Sequence, residues 1–141
     1  MNTDRVSAAL FTLRIGLGAF LLLWSIDKLV APEGMVAIYQ YFYHLGITNE
    51  IAYVVGTLEL LLSLAIIAGF LKTYSYGLGL LLHAITTIAV YRQLLSPFGG
   101  NHLFIATLPV LAGFIALFIM RHQDNLWSMD AALSKRRMQH E

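Results

Sequence analysis

The chain has 141 residues, 58% of them hydrophobic and 12% charged, about half the roughly 25% charge of a soluble domain. It has no cysteine, which excludes disulfides, thiolate metal sites and cysteine redox chemistry. The formal net charge of +1 gives no footprint for nucleic acid, and a mean hydropathy of +0.70 points to one domain whose solvent is a lipid bilayer.

Residues 1–7 are short and polar. From Ala8 the chain runs apolar to Val30, interrupted by Arg14, Asp27 and Lys28, with Trp24 near the far end where aromatic belts form. This predicts a first spanning helix over about 6–29. The rival reading is a cleavable signal peptide with Arg5 and Arg14 as its basic leader, but no small-x-small cleavage site follows. Residues 31–50, APEGMVAIYQYFYHLGITNE, are too short to span and too apolar to stand free in water. Pro32 marks a helix start and Gly46 a helix stop. A short helix lying in the interface, its aromatics at headgroup level, competes here with a packed loop.

The second spanning helix is expected over 51–70, IAYVVGTLELLLSLAIIAGF, whose one charge is Glu59. Twenty residues make about 30 Å of helix, the thickness of the hydrocarbon core. The link 71–73 is minimal, so a third helix over about 74–91 returns antiparallel. Residues 92–101 read as a loop punctuated by Ser96-Pro97 and Gly99-Gly100. A fourth helix over about 102–120 contains Pro109, and a basic tail fills 121–141, with Trp127 at the interface and Ser128 placed to cap a short helix from Met129. Gly16, Gly18, Ala65, Gly69, Gly77 and Gly79 suit close helix approach. With both termini inside, Arg5, Lys72, Arg121, Lys135, Arg136 and Arg137 are cytoplasmic, against Lys28 and Arg92 outside. This is the lysine and arginine bias expected of four spans with cytoplasmic ends.

The ionisable groups sort into two layers. Counting along each helix puts Arg14 about 12 Å deep from the inner face, His83 about 15 Å, and Glu59 about 18 Å. One reading is a mid-membrane polar site of Arg14, Glu59 and His83, with Glu59 and His83 as candidate catalytic groups. The other is structural: Arg14 and Glu59 neutralise each other, or Arg14 snorkels to the surface, while His83 bonds a backbone carbonyl. The second layer, at the outer edge, gathers Asp27, Lys28, Arg92 and His102 beneath Tyr39, Tyr41, Tyr43 and His44. It reads either as a pocket for an amphipathic molecule such as a quinone head group or as ordinary interface anchors. His83 and Glu59 alone are too few for a closed metal site, so no metal is expected.

Three stretches resemble the DoxX family of small four-helix membrane proteins, which includes the DoxD-type subunit of thiosulfate:quinone oxidoreductase. They are Leu13 to Leu29, an arginine-led helix ending in lysine-leucine; Tyr39 to Gly69, a leucine-glycine turn before a glutamate-bearing helix; and Trp127-Ser128-Met129-Asp130, similar to a tryptophan-serine-leucine-aspartate tail motif. Arg14, Lys28, Glu59 and Asp130 match positions that the family tends to fill the same way. Trp24-Ser25 stands where the family often has His-Gly. The resemblance implies an all-α integral membrane four-helix bundle with a short interfacial helix between helices one and two.

The resulting expectation is a small subunit of a quinone-linked redox complex in a bacterial-type plasma membrane. Candidate cofactor contacts are Arg14, Trp24, Asp27, Lys28, Arg92 and His102, with a partner protein or a second copy beside it. A non-catalytic membrane anchor or assembly factor, and a small proton-coupled transporter, are the alternatives. No nucleophile–base pair supports a self-contained hydrolase.

Overall fold

In a computed structural model residues 3–139 are described, and the regular structure among them is all helical. No strand occurs among them. The long helices are α1 (Thr3–Val30), α3 (Asn49–Ala68), α4 (Lys72–Ala89) and α6 (Thr107–Ile119), with the short helices α2 (Pro32–Phe42), α5 (Tyr91–Leu95) and α7 (Met129–Met138) between and after them. A 3-10 turn over Gly99–Ala106 leads directly into α6. Three stretches, Asp4–Val30, Asn49–Ala68 and Gly99–Ile119, are long and apolar enough to cross a membrane. α4 has 18 residues, but its polar content (Lys72, Thr73, Ser75, His83, Thr86, Thr87) keeps it out of that group.

α1 is built on one stripe. Leu10, Arg14, Leu17, Leu21 and Ser25 are all buried, at steps of four, three, four and four residues, the period of a single helix face. That face packs antiparallel on α3 and also meets α6, while α4 closes the group by packing on α6 and α3. Ile66, Tyr76, Phe114 and Leu117 complete the core from the other three helices. The opposite faces leave large apolar side chains such as Leu58, Leu61, Leu81 and Ile88 exposed, as a chain solvated by lipid does.

Two glycines fix the α1–α3 register. A Cβ on Gly56 would come within 3.0 Å of the Lys28 Cβ and 3.1 Å of Leu29 Cδ2. Gly69 ends α3 in the left-handed region (φ 62). A Cβ there would stand 2.7 Å from both Arg14 Nη1 and Ser128 Cβ. The end of α3 therefore lies beside Arg14, and the first turns of α1 run past it.

Several local expectations are corrected. The stop before helix two is not at Gly46: α2 ends at Phe42, and His44 turns the chain in the left-handed region. Residues 92–101 are not an open loop but α5 followed by the 3-10 turn. Pro109 lies inside the helical run Gly99–Ile119 as expected, at the third residue of α6 just after the 3-10 turn. Pro32 takes the first helical position of α2, where its missing N–H costs nothing. Ser128 caps α7, its hydroxyl accepting from the Ala131 amide at 3.2 Å.

Candidate functional site

The inward stripe of α1 carries two cations, Arg14 and Lys28. Fourteen residues separate them, about 21 Å along the helix. Each has its own acid within salt-bridge distance.

At the first level Arg14 and Asp124 meet at 3.0 Å, both side chains 0% exposed. Arg14 Nη1 donates to both carboxylate oxygens of Asp124, and Nη2 donates to the carbonyls of Leu126 and Trp127 at 3.0 and 3.3 Å. The Tyr76 hydroxyl donates to Asp124 Oδ2 at 2.6 Å. Lys72 Nζ donates to the Asp124 carbonyl at 2.7 Å. The chain after α6 thus folds back over α1, and Phe11 meets Trp127 edge-on. Trp127 adopts φ 49, a backbone region that costs an L-residue about 1–2 kcal/mol. That turn lets two successive carbonyls face one guanidinium.

The tail adds a second clasp. Asp130 Oδ1 and Oδ2 accept from the amides of Leu71 and Lys72, each at 2.9 Å, so a residue of α7 caps the start of α4. Its own amide donates to the Gly69 carbonyl. Leu71 sits at φ 48, a tight link held by that carboxylate.

At the second level Lys28 Nζ lies 2.8 Å from Glu59 Oε2, their side chains 13% and 11% exposed. Glu59 stands one turn beyond Gly56, so the close helix approach at Gly56 is what delivers Lys28 to it. The ammonium also lies 5.6 Å from the Trp24 ring centre, a cation–π distance. Beside the pair a shallow groove of about 300 Å³ is lined by Phe20, Leu23, Trp24 and Asp27. α2 borders this level: Tyr39 stacks on Tyr43, and the Tyr43 hydroxyl donates to Thr86 Oγ1 at 3.2 Å. Burial first, then Tyr43 and the Glu59 charge, push the Tyr39 phenol above its ordinary value.

The expected cluster of Arg14, Glu59 and His83 does not form. Depth counted from each helix start assumed that the helices begin at one plane, whereas α1 overruns α3 and carries Arg14 to the Gly69 end. Arg14 goes to Asp124 and Glu59 to Lys28. His83 Nε2 instead faces the Thr107 carbonyl at 3.0 Å, the structural alternative for this residue. Its ring meets Phe20 edge-on and lies near Phe114, so Phe20 stands between His83 and the groove.

The outer layer is gathered only in part. Trp24 and Asp27 line the groove, and Lys28 reaches this level only through its 5.6 Å approach to the Trp24 ring. Arg92 is exposed and bonded to the Tyr91 hydroxyl at 3.0 Å, and His102 Nδ1 faces the Gly99 carbonyl at 2.6 Å. Both are committed within their own turns. No group of three or more histidine and acidic side chains is placed to hold a metal among the described residues. Sequence reasoning missed Asp124 and Tyr76. The available signal was that Arg14 demands a buried acid and that Asp124 follows directly on the last apolar run.

Long antiparallel apolar helices, three of them long and apolar enough to cross a bilayer, define a membrane-embedded helical protein. The DoxX family model matches residues 9–92, more than half of the chain, and this protein belongs to the DoxX family. No curated protein and no solved structure gives a significant match. The matched segment holds Arg14, Lys28 and Glu59; Asp124 and Asp130, which complete the first level, lie beyond it.

Proposed function

We propose that the chain is a four-helix bundle crossing the plasma membrane four times, through α1, α3, α4 and the run from Gly99 to Ile119, with both termini in the cytoplasm. In this reading α2 lies in the outer interface, and the bundle holds a quinone head group for a partner oxidoreductase. The observation that carries it is the Lys28–Glu59 pair, about nine-tenths buried, with Lys28 against the Trp24 ring that lines the groove. A quinone tail arrives from the bilayer, its ring packs on Trp24 and Phe20, and Lys28 Nζ donates to a ring carbonyl. Reduction to the quinol takes two electrons, drawn from the partner, and two protons. Glu59 is the group placed to pass a proton at this level, and His83 lies behind Phe20.

The membrane-anchor reading is favoured by one feature, the exposed basic end of α7 (Lys135, Arg136, Arg137), which offers a docking face to a soluble partner. Titrating the purified protein with a short-chain quinone analogue, read by quenching of Trp24, separates the two. Lys28→Ala and Phe20→Ala are expected to weaken binding at least tenfold, and Arg136→Gln to leave it unchanged. Unchanged binding in both groove variants discards the quinone site and leaves the anchor.

A further inference from the structure

A second cavity lies at the opposite level of the molecule, at the end formed by α4, α6 and α7. Its volume is about 510 Å³, and Lys72, Thr73, Arg121, His122, Asp130 and Lys135 are among its lining residues. Pockets of 300–1,000 Å³ are the range in which small ligands are held.

Its charge is one-sided. Lys72, Arg121 and Lys135 face one carboxylate, Asp130, and Asp130 is engaged at both oxygens by the amides of Leu71 and Lys72. The Asp124 carboxylate is withdrawn into the bundle with Arg14. Three cations therefore stand against one satisfied anion, before any charge on His122. The donors differ in freedom. Lys72 Nζ is held by the Asp124 carbonyl and, at 3.4 Å, by Asn125 Oδ1. Arg121 spends Nε on Thr73 Oγ1 and Nη1 on the Phe118 carbonyl, with its guanidinium 4.5 Å from the Phe118 ring. Nη2 of this guanidinium makes no hydrogen bond among the described residues, while Nε and Nη1 hold it in place. Lys135 and the His122 ring make no hydrogen bond among the described residues.

The location is as informative as the charge. Arg121 follows the apolar run Gly99–Ile119 by two residues, which puts the cavity at headgroup level. Trp127, 79% exposed, lies in the same turn, and exposed Met129 and Leu133 share one face of α7. Apolar and indole side chains there suit the acyl boundary, while Asp130, Ala131, Ser134 and Lys135 turn the other face of α7 to the cavity.

We propose that this cavity binds a phosphate group, either the phosphodiester of an anionic phospholipid headgroup or free phosphate. Arg121 and Lys135 are its principal donors and His122 closes the rim. The site is separate from the Lys28–Glu59 groove and does not depend on a quinone there.

The test uses the full-length protein in detergent, titrated with short-chain phosphatidylglycerol, with phosphatidylcholine of the same chain length and with inorganic phosphate, the bound fraction being read by native mass spectrometry. Each cavity cation removed is expected to lower affinity about fivefold. The pair His122→Gln/Lys135→Gln and, separately, Arg121→Gln are compared with Arg136→Gln/Arg137→Gln, two cations outside the cavity lining. Circular dichroism checks the fold, and Lys135→Gln alone, at an exposed position, remains readable if Arg121→Gln unfolds. Phosphatidylglycerol binding that falls in the cavity variants and holds in the control pair supports the site with a lipid as its source. Phosphate binding as tightly as the lipid, with the same dependence, supports the site with free phosphate as its source. Equal loss in the control pair would show diffuse attraction to the basic tail, and unchanged binding in the cavity variants would show no site; either overturns the proposal.

Discussion

The Arg14–Asp124 pair allows the sharpest test of how the fold is held. Asp124→Ala leaves a guanidinium at 0% exposure with only the carbonyls of Leu126 and Trp127 to receive it, and a guanidinium cannot shed its proton. It also strips the Tyr76 hydroxyl of its 2.6 Å acceptor. Breaking a buried pair from one side costs about 3–5 kcal/mol, and the orphaned hydroxyl adds to this about 1–3 kcal/mol. Arg14→Met leaves a carboxylate that keeps the Tyr76 donor and can neutralise itself by taking a proton, so its loss should be the smaller. The double variant removes both charges and should lose less than the sum, because an apolar replacement of a buried pair is often nearly neutral. The expected coupling is about 2–3 kcal/mol. A double-mutant cycle on detergent-solubilised protein, unfolded by SDS and followed by circular dichroism, measures it. Single losses that add within about 0.5 kcal/mol, or a larger loss for Arg14→Met than for Asp124→Ala, would refute the reasoning. In the same assay Arg14→Met and Glu59→Gln share no partner and should be additive.

Asp130→Ala removes the acceptor for two amides at the start of α4; the expected loss is about 1–2 kcal/mol, with hydrogen exchange faster at Leu71 and Lys72 and unchanged near Glu59. Protection that stays intact at both amides would contradict the cap. For topology, reporters fused after Arg121 and within 94–100 should sit on opposite sides of the membrane, and a report from the same side would end the four-span reading.

Much of this architecture was legible because apolar runs and punctuation are local signals. Pro32 and Ser128 each mark a helix start from their own chemistry, without tertiary help. The need of Arg14 and Glu59 for partners was legible too, since lone charges in apolar runs are costly. Who the partners are was not, because pairing depends on register. The α1–α3 register is set by Gly56 against Lys28 and Gly18 against Ile67, and a shift of two turns moves a charge by about 11 Å. Asp124 was hidden for another reason. It lies in a segment that composition alone assigns to water, and only the left-handed turn at Trp127 and the clasp at Gly69 fold that segment inward.

The Arg14–Asp124 bond spans 110 residues of sequence, and this sets an order of events during synthesis. At about 5–20 residues per second, the arginine is incorporated roughly 6–22 s before its aspartate exists. In that interval α1 and α3 can associate at Gly18 and Gly56, but the guanidinium has no acid to meet and must be sheltered by water, lipid phosphate or the insertion machinery. A nascent chain cut short anywhere before residue 124 keeps that bare charge permanently. The lock therefore also depends on completion: only a polypeptide translated past Asp124 can pair its arginine with that acid.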